Sequence, residues 1–467
     1  VNGRPGDDGD VVSGLDLHLD RRGGNVAAGL MDAFRDAIRS GRLTPGARLP
    51  SSRTLAADLA MGRNTVVRVY SELITEGWLT AQHGSGTRVA RRAEELAGPR
   101  AVRPRVPPTR RPVHDLRPGH PDLSAFPRED WIRAVRRTVS AAPADAFGYA
   151  DPFGRIELRR ALARYLTRAR GLRTGPDNVV VCSGAAEGLA LVAGALADAG
   201  VGGVAVEEFG LATQRHTLRK AGLTTPPIPV SADGADVSVL ESAPGVGAVL
   251  LTPSHQFPLG VALKPDRRVA VVDWARRRNA LIIEDDYDGE FRYDRTPVGA
   301  LQGLDPEHVI YLGTASKSLA PGLRLGWLVL PDHLVDPVAG QKGETEETVG
   351  FVNQLAMADF IESGAYDRHI RTMRIRYRRR REQLVEAVAR RSPTAGISGM
   401  PAGLHVVLQP AGGIAGQAAW RRLNVEPLTY YRHPESTSDR HGVVVGFASP
   451  TQSAWSGALE ALLDALG

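Results

Sequence analysis

At 467 residues, with 42% hydrophobic and 24% charged side chains, the chain is long enough for two or more domains and has the composition of a globular protein. One cysteine, Cys182, excludes an internal disulfide framework and any multi-cysteine metal site. No run approaches the length of a membrane span and the first residues lack the apolar core of a signal peptide, so a cytoplasmic protein without membrane contact is expected.

The net charge of +6 is unevenly spread. The first 111 residues hold 18 arginines and no lysine against 12 acids, and the remainder holds 40 residues of each sign. A basic head on a neutral body points to a polyanion partner for the head.

Residues 1–20 are rich in Gly and Asp and are expected to be disordered. Over 21–90, Val26, Leu30, Phe34 and Ile38 recur at steps of four, the spacing of one helix face, and Gly41 ends it. Ser51 or Ser52 can cap a second helix, RTLAADLAM. A third starts at Asn64 or Thr65, with Val67, Leu73 and Ile74 predicted inward. WLTAQHGSGTRVA then reads as two strands around a Gly-Ser-Gly turn.

Three helices and a hairpin make a winged helix-turn-helix, whose third helix enters the major groove of double-stranded DNA by its N-terminal residues. Here those are Arg63, Asn64, Thr65 and Arg68, with Arg53 as a backbone clamp and the wing, including His83 and Ser85, reaching a neighbouring groove. A three-helix protein-interaction module is the competing reading; 12 arginines against 5 acids over 21–92 favour DNA. Residues 91–112 are rich in Arg and Pro, the composition of an extended, solvated linker.

From 113 to 467, helical and strand patterns alternate, as in a sheet covered on both faces by helices. The chain contains only four lysines, Lys220, Lys264, Lys317 and Lys342. Lys317 falls between two short apolar runs, Val309–Leu312 and Leu323–Leu330, that read as buried strands. Arginine supplies the ordinary surface charge, so a lysine in this setting points to amine chemistry, which a guanidinium cannot perform. The bland alternative is a stray charge on a strand end.

Other predicted strand ends carry polar groups too. A buried strand runs into Ser183-Gly184-Ala185-Ala186 and a helix, a turn small enough for backbone N–H groups to approach a phosphate. VGAVLLTPSHQFPLG ends in a loop with His255 and Gln256. NALIIEDDYDGEFRY ends in Glu284, Asp285, Asp286, Tyr287 and Asp288. Four acids raise the question of a metal, but no fitting His/Cys set accompanies them, and none is expected. One buried carboxylate beside a tyrosine suits the ring nitrogen and phenolic oxygen of a pyridine cofactor. Arg324, seven residues after Lys317, suits a phosphate dianion. Together these features describe a site for pyridoxal 5′-phosphate.

The first domain closely resembles the winged helix of GntR-type transcription regulators, through RSGRLTPGARLPSSRTLAADLAMGRNTVVRVYSELITEGWL and GSGTRV. Residues 113–467 resemble fold-type I aminotransferases, and in particular the aminotransferase-like domain of MocR-subfamily regulators. The residues that carry this are GYADPFGRIELRRALARYL, SGAAEGL, LTPSHQFPLG, IIEDDYDGEFRY, YLGTASKSLAPGLRLGWLVLP and HIRTMRIRYRRRR. The implied fold is an N-terminal α+β winged helix-turn-helix followed by an α/β fold-type I domain. The resemblance implies that Lys317 forms the Schiff base, Asp285 pairs with the pyridine nitrogen and Tyr287 bonds the ring hydroxyl oxygen. It implies that Gly184, Ala185, Thr314, Ser316 and Arg324 surround the phosphate. Tyr149, five residues before Gly154, would reach the phosphate of a partner subunit, which implies a homodimer.

The sequence departs from the aminotransferase pattern in three places. Leu211 stands where an aromatic residue stacks on the ring, and Phe257 where transaminases have Asn. HGVVVGFAS lacks the arginine that receives a substrate carboxylate, with Arg432 the nearest substitute for binding an effector. The expected protein is therefore a transcription regulator that senses an amino acid or B6 vitamer through Lys317; the rival is a working aminotransferase with a DNA-binding appendage.

Overall fold

The computed structural model describes residues 26–82, 86–91, 113–149, 151–293, 298–342, 349–411 and 420–467. The wing-tip residues His83 and Ser85, residues 1–20 and the linker from 92 to 112 lie outside them. The chain divides into two compact units, residues 1–110 and 111–467.

In the first unit, α1 (Val26–Arg39), α2 (Ser52–Asp58) and α3 (Arg63–Thr75) precede a hairpin of β1 (Leu79–Gln82) and β2 (Gly86–Val89). Helix α1 buries Leu30, Phe34 and Ile38, while Val26, at its first turn, is 54% exposed rather than inward. Ser51 caps α2 by accepting the Thr54 N–H, which satisfies one of the helix's free amide donors. Helix α3 buries Val66, Val69, Tyr70 and Leu73, a single stripe at helical spacing. This corrects the predicted face: Val67 points outward, because the Val66 side packs on α1, where Phe34 and Tyr70 meet edge to face at 5.7 Å. The Tyr70 hydroxyl donates to the Pro50 carbonyl at 3.0 Å and pins the turn before α2.

The second unit is built on a seven-stranded sheet. Its elements are α4 (Arg128–Ala141), α5 (Ile156–Arg170), β3 (Val179–Cys182), α6 (Ala185–Asp198), β4 (Gly203–Glu207), α7 (Ala212–Lys220) and β5 (Pro227–Ile228). A small hairpin, β6 (Val230–Ser231) and β7 (Gly234–Ala235), leads to β8 (Val246–Leu251), α8 (Pro265–Arg278), β9 (Leu281–Asp285), β10 (Val309–Thr314) and β11 (Gly326–Val329). Then come α9 (Asp332–Gly340), α10 (Phe351–Glu362) and the long α11 (Ala365–Arg391). The chain closes with β12 (Gly396–Ser398), β13 (His405–Gln409), β14 (Glu426–Pro427), β15 (Val443–Gly446) and α12 (Trp455–Leu466). The large sheet has order β3-β11-β10-β9-β8-β4-β5, parallel except for β11. An antiparallel sheet β12-β13-β15-β14 lies near the C-terminus.

Strand periodicity decides the layers. Val179, Val181, Trp327 and Val329 enter one core with Leu158, Leu162 and Leu166 of α5 and with α10 and α11. Their alternates Val180, Cys182 and Leu328 enter a second core with Leu189, Val192 and Leu196 of α6. Side chains alternate faces at period two, so strands apolar at every position must be covered on both sides. Each such aliphatic side chain contributes roughly 1.5–3 kcal/mol through burial.

The sheet's strand order prepares the site. Strands β3, β4, β8, β9 and β10 all end at one sheet edge. Because β11 runs the other way, its start pairs there, Gly326 with Cys182 and with Thr314. The predicted strand Leu323–Leu330 is shorter than expected: Pro321–Leu323 is a 3₁₀ turn and Arg324 takes φ +50° before β11 begins. That turn sets Arg324 at the same edge.

Candidate functional site

A cavity of about 410 Å³ opens at this edge. Gly184, Ala185, Asp285, Tyr287, Thr314, Ser316, Lys317 and Arg324 all line it. Sequence positions 140 residues apart thus converge through strand order alone.

Lys317 lies just past β10, and a Cβ built on Gly119 would sit 3.7 Å from its Nζ. Loss of water lowers its pKa from the ordinary lysine value, against the opposing pull of Asp285 and Asp288. The consequence is an amine closer to its neutral, nucleophilic form.

Asp285 is buried at the end of β9. Its Oδ2 accepts from Gln214 Nε2 at 2.6 Å, and its Oδ1 has no partner among the described residues. Burial pushes its pKa up to about 7, although the Gln214 bond works against the rise. The other acids of the run are engaged elsewhere. Glu284 accepts from the amides of Leu301 and Gln302. Asp286 holds the Arg170 guanidinium and the Tyr311 hydroxyl, and Asp288 pairs with His255. Only Asp285 is left for the cavity.

The Tyr287 hydroxyl lies 3.0 Å from His255 Nδ1, which is itself 2.9 Å from Asp288 Oδ2. His405 stacks near His255 at 5.1 Å between ring centres. No histidine was expected beside these acids; the structure brings His255 and His405 to Asp288, with all three buried.

The Gly184 turn is tight. Gly184 has φ +107°, open to glycine alone at low cost, and a Cβ on Gly326 would stand 2.8 Å from its Cα. Helix α6 starts there without a side-chain cap, leaving its first amide donors available to an anion. A Cβ on Gly184 would lie 3.6 Å from Arg324 Nη1, so the guanidinium adjoins the helix terminus. Thr314 Oγ1 accepts the Ser316 N–H at 3.1 Å and fixes the loop ahead of Lys317.

Two expected residues lie apart. Tyr149 is 94% exposed and does not line this chain's cavity. Arg432 is also outside it, because its Nη1 donates to the Ser438 carbonyl at 2.8 Å. Leu211 does line it, 39% exposed. Sequence reasoning missed Gln214, Arg215, His120, Glu207 and Glu426. The one available signal was Gln214 and Arg215 closely following Leu211, the position expected to stack on the ring.

In the first unit, Arg53, Arg63, Asn64 and Arg68 are exposed and Thr65 is half-buried. Arg63 and Asn64 open α3, while Arg68 contacts Glu72 at 4.0 Å.

A β3-to-β11 sheet with a lysine, an aspartate and a phosphate-ready helix start at one edge defines a fold-type I aminotransferase domain, here in a chain that also holds a winged helix. Residues 114–425 match the family model for aminotransferase class I and II, and residues 27–89 that for bacterial regulatory proteins of the gntR family. The probable rhizopine catabolism regulatory protein MocR of Rhizobium meliloti is 33% identical over 90% of this chain and 89% of its own. The pyridoxine biosynthesis transcriptional regulator PdxR of Corynebacterium glutamicum is also 33% identical, over 95% and 96%. Among solved structures, a multiple substrate aminotransferase from Thermococcus profundus superposes with a TM-score of 0.68 at 23% identity, covering 77% of this chain and 92% of that one. An archaeal alanine:glyoxylate aminotransferase gives 0.67 at 24%, covering 75% and 90%. The chain belongs to the MocR-type branch of the gntR-family HTH transcriptional regulators, in which the winged helix is joined to an aminotransferase class I and II domain.

Proposed function

We propose that the protein regulates transcription by binding double-stranded DNA through α3, and that its cavity takes pyridoxal 5′-phosphate and a small amino compound as signal. The observation that carries the cofactor reading is Asp285: a buried carboxylate on the wall of the cavity that also holds the desolvated amine of Lys317, with one oxygen, Oδ1, that has no partner among the described residues. Unpaired buried acceptors are costly, and a protonated ring nitrogen is a donor that satisfies this one.

Bound there, pyridoxal phosphate supplies an aldehyde carbon that condenses with primary amines. The chain's own groups do the rest. Lys317 provides the amine that anchors it, Asp285 holds a proton on the ring nitrogen, and Tyr287, oriented by His255, donates toward the ring's phenolic oxygen. Arg324, Thr314, Ser316 and the amides of Gly184 and Ala185 take the phosphate. Tyr149, exposed on this chain, serves the cavity of a second copy, and the working unit is a homodimer.

A ligand that binds one arrangement of the domains better than another shifts the population, and with it the spacing of the two winged helices on DNA. The aminotransferase alternative shares every one of these cofactor contacts. What favours the sensor is the placement of Arg432 outside the cavity and the aliphatic Leu211 lining it. Purified wild-type protein given pyridoxal phosphate is expected to be coloured, and Lys317→Ala to lose the visible absorption band. A colourless wild type, or rapid multiple turnover with an amino acid and an oxo acid, would overturn the reading.

A further inference from the structure

Tyr287 lines the cavity, but its neighbours Asp288 and His255 do not. Both are 2% exposed. His255 Nδ1 stands 2.9 Å from Asp288 Oδ2 and 3.0 Å from the Tyr287 hydroxyl, so one ring nitrogen faces two oxygens. The other ring nitrogen, Nε2, is buried and has no partner among the described residues. A Cβ on Gly403 would overlap the His255 ring and lie 2.6 Å from Asp288 Oδ2. The backbone there presses on both groups and keeps them together.

These contacts decide where the proton of His255 sits. A neutral imidazole has one N–H and one lone pair, and its hydrogen-bond partners select between the two nitrogens. A proton on Nε2 would be a buried donor with no acceptor among the described residues, while the Nδ1 lone pair faced a carboxylate. A proton on Nδ1 instead makes a charge-assisted bond to Asp288. His405 does not alter this balance. Its Nε2 lies 3.0 Å from the Pro258 carbonyl and donates there, and burial, reinforced by His255, holds its pKa well below the ordinary value. The one proton of His405 is already engaged.

The Nδ1–H is also within reach of the Tyr287 oxygen, which therefore meets a donor on its His255 side. The hydroxyl hydrogen is turned away from the imidazole. Burial, and after it the charge of Asp288, raises the Tyr287 pKa well above the ordinary value, so the hydroxyl keeps that hydrogen. Asp288 Oδ2 already receives the imidazole N–H. The hydroxyl hydrogen is left for an acceptor in the cavity that Tyr287 lines.

We propose that Asp288 and His255 are positioning residues that aim the Tyr287 hydroxyl. The carboxylate fixes the imidazole with its proton on Nδ1, and that proton makes the hydroxyl a donor toward the cavity and not an acceptor from it. The ligand atom opposite is accordingly an oxygen with a lone pair to offer, an ionised phenol above all. The identity of that oxygen rests on the reading of the cavity as a pyridoxal phosphate site; the placement of the proton on His255 does not.

Two measurements on the full-length chain test this. In the cofactor-free wild type, nitrogen NMR of isotope-labelled histidine, with the His255 signals assigned through their loss in His255→Asn, is expected to show a protonated Nδ1 and a bare Nε2. In Asp288→Ala the proton should move to Nε2. A wild-type proton on Nε2 overturns the proposal. The second measurement is the affinity for pyridoxal phosphate and the position of its visible band. Tyr287→Phe should weaken binding about ten-fold, the scale of one hydrogen bond to a charged group, and shift the band. His255→Phe should do the same, and the double variant no more than either. An Asn amide stands where Nδ1–H stood and a Gln amide nearer Nε2, so His255→Asn should recover most of the loss and His255→Gln should not. Losses that multiply in the double variant, or equal rescue by Gln and Asn, overturn the proposal. A wild type that binds no pyridoxal phosphate but carries the Nδ1 proton would instead sink the cofactor reading alone.

Discussion

Gln214 Nε2 donates to Asp285 Oδ2 at 2.6 Å, and the bond settles one oxygen of a buried carboxylate while the other has no partner among the described residues. The donor is neutral, so it favours the ionised carboxylate without cancelling its charge. That combination leaves Asp285 able to hold a cation, and on the proposed reading of the cavity Gln214 is a positioning residue one step removed from the cofactor.

Removing the amide of Gln214 takes away the largest influence that lowers the pKa of Asp285. In Gln214→Ala the carboxyl should stay protonated to higher pH. Affinity for pyridoxal phosphate is then expected to fall several-fold at pH 7 and to recover toward wild type near pH 9. Dissociation constants by visible titration at the two pH values check this; a loss equal at both would show that Gln214 acts only through packing.

The raised pKa of Asp285 has a definite sign for stability. Its folded value of about 7 stands above the ordinary 3.8. Between those values the unfolded chain has lost the proton and the folded chain retains it, so the contribution of this carboxyl to stability is fully present below about pH 4 and is lost as pH rises through 7. Asp285→Asn in the cofactor-free protein should flatten that decline. At about 1.36 kcal/mol per unit the difference reaches at most ~4 kcal/mol, and Glu207 and Glu290, also raised to about 7 by burial, keep the remaining slope. Urea melts from pH 5 to 8 measure it.

Gly154 holds φ +92°, and a Cβ there would lie 2.6 Å from the Val181 Cβ. Both the backbone angle and the contact with β3 exclude a side chain. Gly154→Ala should destabilise the larger domain by about 2–4 kcal/mol, combining an unfavourable backbone conformation with overpacking. Thermal unfolding of that domain is the measurement, and a change below ~1 kcal/mol would mean that β3 yields easily.

At the start of α3, Arg63 is exposed with Asn64. If it meets a phosphate, Arg63→Ala should weaken binding to an operator fragment across all sequences and reduce the slope of log affinity against log salt by about 1. Loss confined to one base position, with the slope unchanged, would place Arg63 on a base edge instead.

Much of this molecule was readable before folding. The strands around Lys317 and the Ser183–Ala186 turn are local patterns, and apolar runs, small turns and helix stops act within a few residues. Among the four neighbouring acids the fold brings Asp285 to the cavity wall and engages Glu284, Asp286 and Asp288 elsewhere. Val67 failed for a specific reason. Val66 and Val67 are equally apolar, and only the packing of α3 on α1 selects between sides of the helix about 100° apart.

The sequence by itself determined that a lysine, a carboxylate and a turn of small residues would stand at strand ends, because hydrogen bonding and hydrophobic period are settled along the chain. Only the tertiary structure decided which cations share their cavity. Arg215 entered and Arg432 was turned away to Ser438, since burial and partners for a long side chain depend on segments that meet from opposite ends of the sequence. The same holds for Lys317, whose lowered pKa is a property of the walls around it, Gly119 among them, and not of its neighbours in sequence.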